Sequence, residues 1–285
     1  MMDTSHKLLP GILQWKIGTK KVTVINDGYF TAGEPYLTHA PTNGLGHFLH
    51  GAFRPEVPTL TTNVFLIEGA GHAPILIDTG MGNKLALDME GRLLEALQFM
   101  GIKPEAIGTV LLTHLHGDHF YGLIGRGGEK NFPNAKIWIS DAEENYWLKT
   151  AHTQPHDIQN AEDIKTALQP YQRIDAAGGD ILDGITAVPL SGHTPGHTGF
   201  LLESDGDKLL FCGDIFTIPA IQAAMPEVGF ATDVDYALAA QTRKTLLEKA
   251  TDQRLLLAGL HFEFPSLSYV KKQGKGYQLV PKQWL

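Results

Sequence analysis

Cysteine is almost absent from this chain. The single thiol, Cys212, ends the apolar run Leu209–Cys212 and reads as a small buried hydrophobe. One thiol closes no disulfide within a chain and builds no cysteine-rich zinc cage. It suits a reducing compartment, and the cytoplasm is the expected location. No apolar run reaches the roughly 18 residues of a membrane-spanning helix, so no membrane partner is expected. The start of the chain lacks a basic stretch, and Leu8–Leu13 is short and broken by Pro10 and Gly11, so no signal peptide is expected. An excess of positive charge is also missing. Lys and Arg number 23 against 31 Asp and Glu, a net charge of −8. No Lys/Arg cluster exceeds pairs such as Lys20-Lys21 and Lys271-Lys272, which argues against a nucleic-acid partner. Neither Ser191 nor Ser266 has the Gly-x-Ser-x-Gly frame of a nucleophilic serine. No Ser- or Pro-rich linker divides the 285 residues, and a single domain over 1–285 is expected.

Histidine and aspartate, by contrast, are concentrated. Residues 113–119 read Thr-His-Leu-His-Gly-Asp-His, directly after the apolar run Val110–Leu112, which reads as a buried strand. Imidazole and carboxylate are the ligands that Zn²⁺ and similar divalent ions prefer. Alternation at a strand end aims His114 and His116 to one side. Asp118 and His119 then lie in the turn and reach a second ion from another direction. Three further ligand candidates follow, each where a strand meets a loop. They are the Ser191–His197 segment with His193 and His197, the strand Leu209–Cys212 leading to Asp214, and the strand Leu255–Leu257 leading to His261. Strand ends are where layered α/β proteins place functional side chains.

His114-x-His116-x-Asp118-His119, followed in order by His193, Asp214 and His261, resembles the metallo-β-lactamase-fold hydrolases over nearly the whole chain. Within them, His261–Pro265 and Gly276–Pro281 resemble the methyl parathion hydrolase and N-acyl-homoserine lactonase group. The resemblance implies a four-layer αββα sandwich where periodicity alone supports only a layered α/β class. It implies two divalent metal ions, zinc first and iron, manganese or cobalt as alternatives. His114, His116 and His193 hold one ion, Asp118, His119 and His261 the other, and Asp214 bridges both. His197 orients a ligand from behind. Asp78, in Ile75-Leu76-Ile77-Asp78-Thr79-Gly80, either supports the site in the same way or caps a turn or helix. A homodimer is also implied.

In such a site a hydroxide shared between the ions attacks the substrate, and the ions stabilise the charge that develops. Asp118 is the candidate to relay a proton to the leaving group, although metal ligation reduces its basicity. The expected substrate is a small lactone, carboxylic ester or organophosphate triester. One position departs from the lactonase pattern: Thr217 stands where those enzymes carry a tyrosine that helps hold the substrate carbonyl. Trp147, Phe216 and Phe48 are candidates for an apolar pocket wall, or else ordinary core. The alternatives are a glyoxalase II-like thioesterase, which lacks its basic cluster here, and a non-catalytic metal-stabilised binding protein. A closed four-ligand cage would favour the latter, whereas seven ligands for two ions leave room for water.

Strands are expected at Val22–Ile25, Val64–Ile67, Ile75–Ile77, Val110–Leu112, Lys136–Ile139, Phe200–Glu203, Lys208–Phe211 and Leu255–Leu257. The Ser204-Asp205-Gly206-Asp207 segment reads as a hairpin turn. Helices are expected over Lys84–Met100, after a cap at Asp141, and after a cap at Asp233. Residues 152–170 read as polar surface with a lid as an option, and residues 31–60 as a loop bordering the active site or a partner.

Overall fold

A computed structural model describes residues 11–31, 36–40, 45–55, 57–69, 71–83, 90–174, 179–182 and 184–284. The chain opens with β1 (Ile12–Ile17), β2 (Lys20–Thr31), β3 (Leu37–Thr38), α1 (Leu45–Gly51), β4 (Thr59–Glu68), β5 (Ile75–Ile77) and α2 (Leu93–Phe99). It continues through β6 (Thr109–Leu111), α3 (Gly117–Phe120), β7 (Lys136–Trp138), α4 (Asp141–Lys149), α5 (Pro155–Leu168) and β8 (Gln172–Arg173). The remainder is β9 (Asp180–Leu182), β10 (Ile185–Pro189), β11 (Thr198–Ser204), β12 (Asp207–Phe211), α6 (Pro219–Ala224), β13 (Gly229–Phe230), α7 (Tyr236–Asp252), β14 (Leu256–Ala258), β15 (Leu267–Gln273) and β16 (Gly276–Pro281).

Two seven-stranded sheets result, ordered β1-β2-β4-β5-β6-β7-β8 and β16-β15-β14-β12-β11-β10-β9, with β13 and β3 as a small separate pair. Strand alternation sorts each sheet into two faces. Phe65, Ile67, Ile75, Ile77 and Leu111 of the first sheet pack against Phe200, Leu209, Phe211, Leu256 and Ala258 of the second. Their neighbours Val64, Leu66, Leu76 and Val110 face the other way, into a core with α2 and α5. Leu210 and Leu257 likewise face α7. Both sheets are thus covered on both sides, which gives the four-layer αββα arrangement. The Ser204–Asp207 hairpin forms, with Asp205 (φ 46°) and Gly206 (φ 86°) both left-handed, as a tight primed turn requires.

Several boundaries differ from the sequence reading. Of the helix expected over Lys84–Met100, residues 84–89 lie outside the described set and the helix itself begins at Leu93. The buried Asp27 carboxylate sets that start by accepting the amides of Leu93 and Met81, each at 2.7 Å. Ser140, not Asp141, caps α4 by accepting the Glu143 amide. Asp235, not Asp233, caps α7, because Asp233 turns towards the site. The polar stretch 152–170 contains α5, which buries Ala161, Ile164, Ala167 and Leu168. Among the described residues no helix is long and apolar enough to cross a membrane.

The parallel strands β5, β6, β12 and β14 all end on one edge of the sandwich. They deliver Asp78, the 113–119 turn, Asp214 and His261 there. The β10–β11 loop joins them through the Thr198 amide, which donates to the Thr113 carbonyl at 2.9 Å across the two sheets.

Candidate metal centre

Three groups of side chains converge on this edge, each with its ligand atoms within 4.8 Å of one another: His114, His116 and His193; Asp118, His119 and His261; and His114, His119 and Asp214. All seven residues singled out from the sequence are therefore brought together. His116 Nδ1 lies 2.9 Å from both His114 Nε2 and His193 Nε2. One ring nitrogen carries at most one proton, so it cannot satisfy both neighbours as a donor. A cation at their centre can.

The rings of His119, His261, His193 and His197 are held from behind. His119 Nδ1 lies 2.9 Å from Asp78 Oδ2, and Asp78 also accepts the Thr113 amide and hydroxyl at 2.8 Å. Asp78 thus spends its carboxylate on the 113–119 turn rather than on a helix end. His261 Nδ1 lies 2.8 Å from the Thr61 carbonyl, and His193 Nδ1 lies 2.8 Å from Asp233 Oδ1. His197 accepts the Asp214 amide at Nε2 and donates from Nδ1 to the Leu190 carbonyl, both at 2.9 Å. With both nitrogens occupied, that ring offers no lone pair to a metal. Gly213, at φ 52°, permits this approach, since a Cβ there would meet His197 Nε2 at 2.4 Å.

Three buried polar atoms at the convergence lack a well-formed hydrogen bond: Asp118 Oδ2, His119 Nε2 and Asp214 Oδ1, the last two facing each other at 3.3 Å. Orphaned buried acceptors of this kind are rare and costly unless an ion or water meets them. Asp214 stands among the rings, 2.9 Å from His261 Nε2, 3.3 Å from His119 Nε2 and 3.7 Å from His193 Nε2.

The electrostatics divide the imidazoles. Burial, reinforced by neighbouring imidazoles, holds His114 and His116 well below the usual histidine range. Burial, with the neighbouring His193 imidazole, lowers His197 to about 3. Burial also lowers His119 and His261, but the carboxylates around them together outweigh it and raise both: Asp214, Asp78 and Asp118 at His119, and Asp214 and Asp118 at His261. Burial raises Asp214, and His261 and His119 more than reverse it, leaving the carboxyl well below its ordinary value. Neutral imidazoles and an ionised carboxylate are the states that bind a divalent cation, so His114, His116 and Asp214 are held ready, whereas a cation would take the place of a proton at His119 and His261. The donor set is all nitrogen and oxygen, which fits a dinuclear zinc site.

A cavity of about 800 Å³ opens over these groups. Trp147 lines it, edge-on to His116 at 5.7 Å. Thr217 lines it too, its amide bound to Gln222 Oε1 and its buried Oγ1 without a partner. Phe216 does not line it. Alternation turns its ring away into the core against Phe262, at 5.8 Å. Phe48 packs with Leu60 and Phe230 and stands behind the wall those two form. Of residues 31–60, Thr31, Tyr36 and Leu60 border the cavity, while 32–35, 41–44 and 56 lie outside the described residues.

Sequence reasoning missed Asp233, Glu143 and Arg243. Glu143 accepts four hydrogen bonds at the back of the site. Arg243 is fully buried and lies 3.8 Å from Asp233. For Arg243 the signal is a charge among the apolar buried positions Ala239, Ala240, Leu246, Leu247 and Ala250 of α7; Glu143 carries none, and Asp233 reads only as a helix cap.

The metallo-beta-lactamase superfamily matches residues 57–259. An N-acyl homoserine lactonase from Bacillus sp is 28% identical over 72% of this chain and 82% of its own length. The lactonase AiiA from Bacillus thuringiensis subsp. kurstaki is 24% identical over 80% and 90%. Among solved structures, AidC, described as a dizinc quorum-quenching lactonase, superposes with a TM-score of 0.90 at 26% identity, covering 97% of this chain and 99% of that one. The hydrolase AbOPH superposes with a TM-score of 0.89 at 28% identity, over 98% and 100%. With the fold, the converging ligand groups and these likenesses in agreement, this chain belongs to the metallo-beta-lactamase superfamily, among its metal-dependent hydrolases.

Proposed function

We propose that this chain hydrolyses a small lactone, with an N-acyl homoserine lactone as the leading substrate. The observation that carries the reading is the meeting of Asp118 Oδ2, His119 Nε2 and Asp214 Oδ1, buried and without well-formed hydrogen bonds, beneath the 800 Å³ cavity. The lactonase names of the relatives support the substrate class. His114, His116 and His193 would hold one ion, Asp118, His119 and His261 the other, with Asp214 between them. When bound, two divalent ions supply Lewis acidity towards a carbonyl or phosphoryl oxygen and bring the pKa of water to about 7.

The protein's own part is orientation and exclusion of water. Phe30, Leu60, Phe230 and Trp147 give the cavity an apolar side suited to an acyl chain. Gln154, just before α5, and Gln159 and Asn160 within it give it a polar one. In this reading the Thr217 hydroxyl, buried and unpartnered, turns about χ1 to donate to the acyl group, without the length of a phenol. Asp118 keeps 14% of its side chain exposed, more than Asp214, and is the carboxylate placed to pass a proton to the leaving alcohol.

The test is hydrolysis of a long-chain acyl-homoserine lactone and of methyl parathion by the zinc-loaded protein, with His116→Ala as blank. Lactone turnover at least 100-fold above the blank supports the reading, and Thr217→Val should then raise KM about fivefold, the worth of one hydrogen bond. Turnover of the phosphotriester alone would replace the lactone with a triester. Turnover of neither, with thioesters or simple esters cleaved instead, would also overturn the lactone assignment. Equal rates for protein and blank on every ester would favour a binding protein.

A further inference from the structure

We infer that Glu143 is a positioning residue that closes the His114, His116 and His193 group by tying together the two loops that carry it. The inference rests on the ligand reading above. Glu143 sits on α4 and is fully buried. Its Oε1 accepts the Leu115 amide at 3.0 Å and the Trp147 indole N–H at 2.9 Å. Its Oε2 accepts the Thr194 hydroxyl at 2.6 Å and the Gly196 amide at 3.1 Å.

The partners are informative. Leu115 lies between His114 and His116, and Thr194 directly follows His193. The first loop leaves β6 in one sheet, and the second joins β10 to β11 in the other. One carboxylate therefore spans the two sheets where this group of three histidines must close. Gly196 makes the approach feasible, since a Cβ there would meet the Glu143 amide at 2.0 Å.

The carboxylate is used to capacity. A carboxylate offers about four acceptor sites and no donor, and four donors face it. A glutamine cannot match this, because its amide N–H₂ would confront either the Leu115 and Trp147 N–H groups or the Gly196 N–H, where only Thr194 can turn its hydroxyl to accept. The influence is also one-sided. His119 and His261 are held by Asp78 and the Thr61 carbonyl instead, so the Asp118, His119 and His261 group does not depend on Glu143.

The experiment is titration of the metal-free protein with cobalt(II), reading absorption and bound stoichiometry, alongside circular dichroism to confirm folding. The wild type should bind two ions, and His116→Ala identifies the transition of the His114 group. Glu143→Gln should weaken that site about tenfold or more, the scale of losses behind metal ligands, and leave the other within about twofold. Thr194→Val, which removes one of the four bonds, should shift the same site in the same direction by less. It decides the matter if Glu143→Gln does not fold. Equal weakening of both sites in a folded variant, or no change at either, would overturn the inference. A wild type that binds fewer than two ions, or a His116→Ala protein that keeps both at full affinity, would instead remove the ligand reading on which it rests.

Discussion

His193 Nδ1 stands 2.8 Å from Asp233 Oδ1, and both side chains are shut off from solvent. Asp233 also accepts the Phe230 amide at 2.9 Å through its other oxygen. The imidazole is thereby locked with Nε2 facing His116 and Asp214. Asp233→Ala should release the ring and lower zinc affinity at that group about 10- to 100-fold. Metal titration and kcat measured together are the check. An unchanged affinity would show that the loop alone orients His193.

Behind Asp233 lies Arg243, which donates to the carbonyls of Ile215, Pro226 and Val228 at 2.6–3.0 Å. These three lie on the segment that carries Thr217 and Phe230 to the cavity. Arg243→Met removes a buried cation and leaves Asp233 and three carbonyls with fewer partners. A loss of about 3–5 kcal/mol is expected, as for breaking other buried pairs from one side. Urea denaturation of the metal-free protein measures it, and a loss under 1 kcal/mol would show that water replaces the guanidinium.

Removing the metal should destabilise the fold as well as stop hydrolysis. The folded chain brings together ligands from positions 114 to 261, whereas the unfolded chain has no preformed site. Each ion at about 1,000 times its dissociation constant contributes about 4 kcal/mol, so two contribute about 8 kcal/mol, a fall in Tm on the order of 20 °C on chelation. His116→Ala should lose part of this difference. A melting temperature indifferent to chelator would argue against a metal in the folded state.

Asp27 carries a pH signature away from the metal centre. Burial raises its pKa from 3.8 to about 6, despite the amides of Met81, Leu93 and Arg92 that pull it down. Below about pH 4 it is protonated both folded and unfolded. Between about pH 4 and 6 the unfolded chain releases this proton while the folded chain keeps it, so its contribution to stability falls as pH rises. The total loss is about 3 kcal/mol and is complete above the folded pKa. The difference in unfolding free energy between wild type and Asp27→Asn, measured from pH 4 to 7, should move by about that amount against the wild type. A constant difference would refute it.

The sequence by itself determined the strands and the candidate ligands. The continuous apolar runs Val64–Ile67, Ile75–Ile77 and Leu209–Phe211 read as strands buried on both faces, because successive side chains of a strand point to opposite sides and here both sides are apolar. The 113–119 turn, His193, Asp214 and His261 are legible because metal chemistry restricts ligand types and each ligand directly follows a strand. The resemblance puts Trp147, Phe216, Thr217 and Phe48 forward for the pocket; Trp147 and Thr217 border the cavity, while Phe216 turns into the core, since one residue of difference reverses the face.

What only the tertiary structure decided is the support behind those ligands. Asp233 had the local pattern of a helix cap, and its neighbour Asp235 took that role. Glu143 reaches Thr194 across 51 positions, and Asp27 sets the start of α2 from 66 positions away. Such contacts leave no periodicity in the sequence. They arise when two packed sheets bury a charge that must then find its hydrogen bonds wherever the fold presents donors.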